Sequence, residues 1–77
     1  MNDELKNETA LILSEVLNIT ISPGENPRRI EIANWDSLNH MELILRLEEK
    51  FQVRFTMGEV AAIQSLDDLV HIIGVKS

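Results

Sequence analysis

The chain has no cysteine, which removes disulfides, thiolate metal sites and a cysteine nucleophile in one step. The remaining candidates for chemistry centre on Asp36-Ser37-Leu38, with His40 just beyond. An aspartate, a serine and a histidine invite comparison with a hydrolytic triad. Residues this close in sequence cannot easily set up that relay, and a domain this small implies no substrate pocket. His40 falls on the core side of its helical pattern and His71 lies in the last one. Neither has a second ligand at a convincing spacing, so packed or solvated histidines are expected rather than a metal site. Asp67-Asp68 and Glu48-Glu49 would attract divalent cations weakly and read better as caps or a solvated face. No glycine-rich phosphate loop is present. Ser37 taken alone reads as a helix cap, a place where serine is favoured without any modification.

These residues have to be positioned by a short chain. Its 77 residues make one small domain, 1–77, with a thin core and a modest stability margin. Apolar residues make up 44%, enough for a globular fold. Trp35, Phe51 and Phe55 are the only aromatics, so the core must be aliphatic. Leu5, Ile12, Leu13, Val16 and Leu17, with Thr9 on the same stripe, predict a helix over about 3–18, capped by Asn2 or Asp3. Residues 19–36 form a long connection interrupted by Pro23, Gly24 and Pro27. Ile19, Ile21, Ile30 and Ile32 punctuate it and are expected to anchor it across the helices.

A second helix is predicted from Ser37 to about Phe51, with Asp36 as its N-cap. A short helical turn follows Thr56, where Thr56 and Glu59 stand in capping-box order. A last helix starts at Ser65, with Asp68 in the same order and Gly74 as the expected stop. The triplets at 19–21, 30–32 and 53–55 alternate apolar and polar residues like strands, but each is too short to outweigh the helical patterns. The expected fold is all-α: three main helices plus one short one.

On a wheel of about 3.6 residues per turn, the second helix carries two apolar stripes. Leu43, Ile44, Leu47 and Phe51 form a core stripe. Leu38, Met41 and Leu45 fall opposite, flanked by Glu42 and Glu49. Either the long loop buries the second stripe, or the stripe is an exposed docking surface. On the second alternative apolar contacts hold a partner, and Glu42, Glu48 and Glu49 steer it. Met41 suits a surface that meets several partners, because its side chain adapts its shape.

The net charge of −6 disfavours nucleic acid, whose affinity comes from clustered Lys and Arg. Partners with basic patches are expected, with an attraction that weakens in salt. No run approaches the ~18 apolar residues of a membrane span, and the acidic N-terminus lacks the order of a signal peptide. A cytoplasmic monomer without membrane insertion is expected.

Asp36-Ser37-Leu38, opening an acidic amphipathic helix after a long loop, resembles the acyl carrier proteins and related thiolation domains. The tripeptide is weak by itself. The stretch from Trp35 to Ile44, the following Leu47-Glu48-Glu49-Lys50-Phe51, and the order of helices extend the likeness over nearly the whole chain. The resemblance implies that a phosphopantetheinyl transferase, using coenzyme A and magnesium, attaches 4′-phosphopantetheine to Ser37, with Asp36 assisting. It implies docking at Leu38, Met41 and Glu42, and acyl or aminoacyl cargo carried as thioesters on the arm's thiol. The expected partners are that transferase and acyl-loading, condensing or acyltransferase enzymes; the chain itself would not be an enzyme. Such an attachment makes physical sense, because the first turn of a helix offers free N–H groups and the positive dipole end to a phosphate. Arg28-Arg29 and Arg46 are basic departures in an acidic chain, and Trp35 and Asn39-His40 resemble specialised or stand-alone carriers more than the housekeeping fatty-acid type. The competing function is an unmodified acidic adaptor that binds a basic partner through its second helix.

Overall fold

The computed structural model describes residues 3–22 and 24–76, with Asp3 described by its backbone alone. Caps from Asn2 or the Asp3 side chain, and the interruption at Pro23, lie outside the described residues. The chain forms α1 (Asp3–Leu17), a 3-10 turn (Arg29–Glu31), α2 (Ser37–Phe51), α3 (Met57–Ala62) and α4 (Leu66–Lys76). The described residues contain no strand: the alternating triplets form none, and an isolated bridge joins Arg28 to Ser65, outside all three. The fold is therefore the all-helical bundle expected.

Helix α1 packs against both α2 and α4. Its residues Thr9, Leu13 and Leu17, one turn apart, are buried, and Leu5, Ile12 and Val16 pack at the edges. Thr9 is tolerated there because its hydroxyl donates to the Leu5 carbonyl at 2.7 Å. From α2 come Leu43, Ile44 and Leu47, and from α4 Leu66, Leu69 and Ile73. Trp35 is buried in the same cluster, so the core is not the purely aliphatic one expected, and Phe51 is half-buried against it. α1 ends on Asn18, whose positive φ of 55° lets the Ile19 N–H reach back to the Ser14 carbonyl at 3.0 Å.

The long connection is pinned mainly by its backbone. Arg29 N–H donates to Gln64 O at 2.7 Å, and Leu66 N–H donates to Pro27 O at 3.0 Å. The Asn26 side chain accepts the Asp67 N–H at 2.9 Å across 41 residues, capping α4 from a distant loop. Ile19, Ile21 and Ile32 pack against the core as anchors, but Ile30 is 86% exposed. It sits in the middle of the 3-10 turn, whose backbone is held against the 64–66 segment while its side chain points to solvent.

Two further differences concern α4. Gly74 does not stop it: the helix runs on to Lys76, whose ammonium meets Glu59 at 2.9 Å. Its start is only half a capping box. Ser65 Oγ accepts the Asp68 N–H at 3.3 Å, but the Asp68 carboxylate turns to Gln64 N–H rather than to Ser65. The box at α3 is complete, with Thr56 and Glu59 each accepting the other's backbone N–H.

Candidate functional site

The start of α2 is built by Asp36. Its backbone is extended, and Oδ1 accepts the Asn39 N–H at 2.9 Å. Asp36 thus does the capping, and Ser37 becomes the first residue of the helix. The Ser37 side chain is exposed, and its Oγ makes no hydrogen bond among the described residues. The role of plain helix cap, open to Ser37 in the sequence, is filled by its neighbour.

The first N–H groups of a helix have no intrahelical acceptor, and the dipole there is positive. A phosphate linked through Ser37 Oγ would meet that end of a 15-residue helix. Asp36 is exposed and spends one carboxylate oxygen on its cap, leaving the other open to a partner or metal ion.

The approach to Ser37 is clamped from several sides. Trp35 is 3% exposed, and its indole Nε1–H donates to His40 Nδ1 at 2.9 Å. Because Nδ1 accepts, the imidazole proton sits on Nε2, which donates to the Val60 carbonyl at 2.9 Å. His40 is buried, and burial lowers its pKa below the usual histidine value; the Arg29 charge acts in the same direction and the Val60 carbonyl against it. Arg29 Nε donates to Trp35 O at 3.2 Å. Asn39 Nδ2 donates to Asn34 O at 2.8 Å, and Asn34 Nδ2 to Leu17 O at 3.2 Å. The segment leading into Ser37 is thereby tied to α1, α2 and α3. The sequence placed His40 on the core side, but nothing in it paired that ring with Trp35.

The outer face of α2 is open. Leu38 is 79% exposed, Leu45 58% and Met41 45%, so the loop does not cover this stripe. The three candidate steering carboxylates differ. Glu42 accepts from Arg46 Nε at 2.9 Å, which partly neutralises it. Glu48 accepts the Phe55 N–H at 2.9 Å and helps hold the turn after α2. Glu49 makes no ion pair among the described residues. Leu45, Glu48 and Glu49 line a shallow groove with Gln52, Val53 and Arg54. Arg54 went unnoticed in the sequence because its triplet resembled a strand.

Such a bundle, with an uncommitted serine hydroxyl at the head of an acidic helix and an apolar stripe beside it, has the build of a phosphopantetheine-bearing carrier domain. Comparison with known proteins agrees. Residues 10–73 match the family described as Phosphopantetheine attachment site. The chain is 33% identical over 73 residues to the acyl carrier protein of Chlamydia felis, covering 94% of each. It is 32% identical over 73 residues to that of Chlamydia caviae, covering 94% of this chain and 95% of the relative. The chain belongs to the acyl carrier protein family. Its function is that of a carrier, and its prosthetic group is 4′-phosphopantetheine.

Proposed function

We propose that Ser37 Oγ is the attachment point of the phosphopantetheine arm and that the chain carries acyl or aminoacyl groups on it, without catalysis of its own. The observation that carries this proposal is the division of labour at the head of α2. Asp36 caps the helix, and the Ser37 hydroxyl is left exposed with no structural task. When bound, the group supplies a terminal thiol, so a chain without cysteine can hold cargo as thioesters.

Leu38, Met41 and Leu45 form the apolar part of the docking surface for the phosphopantetheinyl transferase and for loading, condensing or acyltransferase enzymes. Their exposure supports this role, since apolar contacts that a fold leaves unused are available to a partner. Glu42, Glu48 and Glu49 give that surface its negative field. Glu49 contributes most, because the other two carboxylates have partners within the chain. Asp36, with one oxygen left over from its cap, assists the transferase. The partners present basic patches, and the net charge of −6 supports that. Among the described residues no helix is long and apolar enough to cross a membrane. The cytoplasm is the compartment proposed for the carrier.

The test is an intact mass after incubation with coenzyme A, magnesium and a broad-specificity transferase. A gain of one phosphopantetheinyl group is expected, and it should be absent in Ser37→Ala. If Ser37→Ala gains the same mass, the assignment of the serine is wrong. If neither gains it while a control carrier does, the unmodified adaptor takes its place.

A further inference from the structure

We propose that His40 is a positioning residue for the attachment segment: its neutral ring bridges Trp35 to Val60, and a proton on Nδ1 opens that bridge on the Ser37 side. Both His40 and Trp35 are buried, and they act through the backbone they hold.

The geometry admits one arrangement. An indole N–H only donates, so His40 Nδ1 must accept. A carbonyl only accepts, so His40 Nε2 must carry the proton. The ring is thus satisfied at both ends only in the neutral Nε2–H form. The imidazolium has an N–H at each nitrogen. It can still serve Val60, but its Nδ1–H would face the Trp35 N–H, donor against donor.

What the bridge joins gives it consequence. Trp35 lies two residues before Ser37, and its carbonyl is already held by Arg29. Val60 belongs to α3, the shortest of the four α-helices, in which no residue is buried. The Gln64 N–H, which would close the helical bond to Val60 O, goes instead to Asp68. Val60 O takes the Ile63 N–H at 3.4 Å and the His40 Nε2–H at 2.9 Å, so the imidazole supplies the shorter of its two hydrogen bonds. The segment leading into Ser37 and α3 are thus joined through the imidazole.

The charged groups around the ring disfavour a second positive charge. Arg29 from the 3-10 turn acts on it directly. The acidic residues on adjoining segments are turned away: Asp36 to Asn39 N–H, and Glu59 to Thr56 N–H and Lys76. Burial and Arg29 both lower the folded value below the unfolded one, so in the window between them the unfolded chain binds more protons. The bridge's contribution is complete above the ordinary histidine value of about 6.5. It is lost as pH falls from there through the lowered folded value.

The test uses the full chain and two variants. His40→Gln can accept from Trp35 through its carbonyl and donate to Val60 through its amide, so it keeps a bridge that does not titrate. His40→Phe fills the space and makes neither bond. The readouts, between about pH 8 and about pH 5, are the His40 tautomer by NMR and exchange of the Trp35 indole N–H, corrected for its intrinsic rate. In the wild type the ring should be the Nε2–H form at high pH, and indole exchange should rise about fivefold as His40 protonates. His40→Gln should stay protected throughout, and His40→Phe should exchange fast throughout.

An Nδ1–H tautomer, or indole exchange that ignores the titration, would overturn the proposal. So would a His40→Gln profile that tracks the wild type. The tautomer is read on the native chain, so it decides the matter even if a variant fails to fold. None of these readouts requires Ser37 to be modified, so this proposal and the assignment of Ser37 stand or fall separately.

Discussion

The division of α2 into a core face and an exposed apolar face makes Leu43 and Leu45 a matched pair for a test. They are the same residue type, two positions apart on one helix, with exposures of 0% and 58%. Leu43→Ala removes buried methyl groups and leaves a cavity, which costs about 2–5 kcal/mol. For a 77-residue chain the whole stability is of order 4–12 kcal/mol. A loss of about 3 kcal/mol should lower Tm by roughly 12–24 °C. Leu45→Ala should change stability by less than about 0.5 kcal/mol, as expected for an exposed position without a special role. Its effect should appear in binding. Full burial of a leucine is worth about 2 kcal/mol, and the 58% still exposed leaves about 1.2 kcal/mol for a partner to gain. That is about an eightfold weakening of the transferase complex. Thermal unfolding by circular dichroism measures the first quantity. The dependence of Ser37 modification on carrier concentration measures the second. If Leu45→Ala unfolds more than about 1 kcal/mol more easily, the outer stripe is core and the docking surface has been misplaced. If both variants are equally stable and equally well modified, the two-faced description of the helix is wrong.

Two other outcomes follow from contacts between distant parts of the chain. Asn26→Ala should destabilise by about 1 kcal/mol in chemical denaturation, because it removes the cap on Asp67 N–H; no change would mean that solvent replaces the cap freely. The Lys76 hydrogen bond, aided by the Thr56 N–H, holds the Glu59 carboxyl below the usual range. Its stabilising effect is therefore present above the ordinary glutamate range and lost as pH falls through the lowered value. Lys76→Met should move the Glu59 titration, read by carboxyl NMR shifts, back toward that range, and an unmoved midpoint would show that α4 does not reach α3 in solution.

Much of the fold was legible because its signals are local. The bounds of α2 follow from Asp36 as a cap and from a stripe with unbroken helical spacing. The α3 capping box is written in Thr56 and Glu59. What was not legible is non-local or carried by backbone. Ile30 looked like an anchor because apolar residues in a loop usually are, yet this loop is held by hydrogen bonds from Arg29 N–H and to Pro27 O, which no side-chain pattern records. Gly74 looked like a stop because glycine in a helix costs about 1 kcal/mol. The buried Ile73 and the Lys76–Glu59 pair accompany the helix beyond it. At the candidate site Ser37 with Asp36 stood out through the family resemblance, and the apolar stripe, though not its exposure, could be read from spacing. The Trp35–His40 bridge could not, since a five-residue separation that begins before the helix lies on no helical face.

These departures from local rules fall close to one another. A sequence serving only the fold would place polar residues at positions 38, 41 and 45, because exposed leucine and methionine invite association. It would also put an apolar pair where Trp35 and His40 meet, since a buried polar pair helps only while both members stay satisfied. Both choices weaken the bundle as a bundle, and both lie within a few residues of Ser37. One leaves apolar surface open beside Ser37. The other ties the segment before Ser37 to α2 and α3. Consistency between local preference and global fold is the ordinary condition of a stable domain, and its breaches concentrate where a protein acts. In this chain the buried Trp35–His40 pair and one exposed apolar stripe meet at the head and outer face of α2, while Leu11, Ile30, Met57 and Val75 are exposed elsewhere. The carrier function is thus written as a local conflict within an otherwise consistent helical bundle.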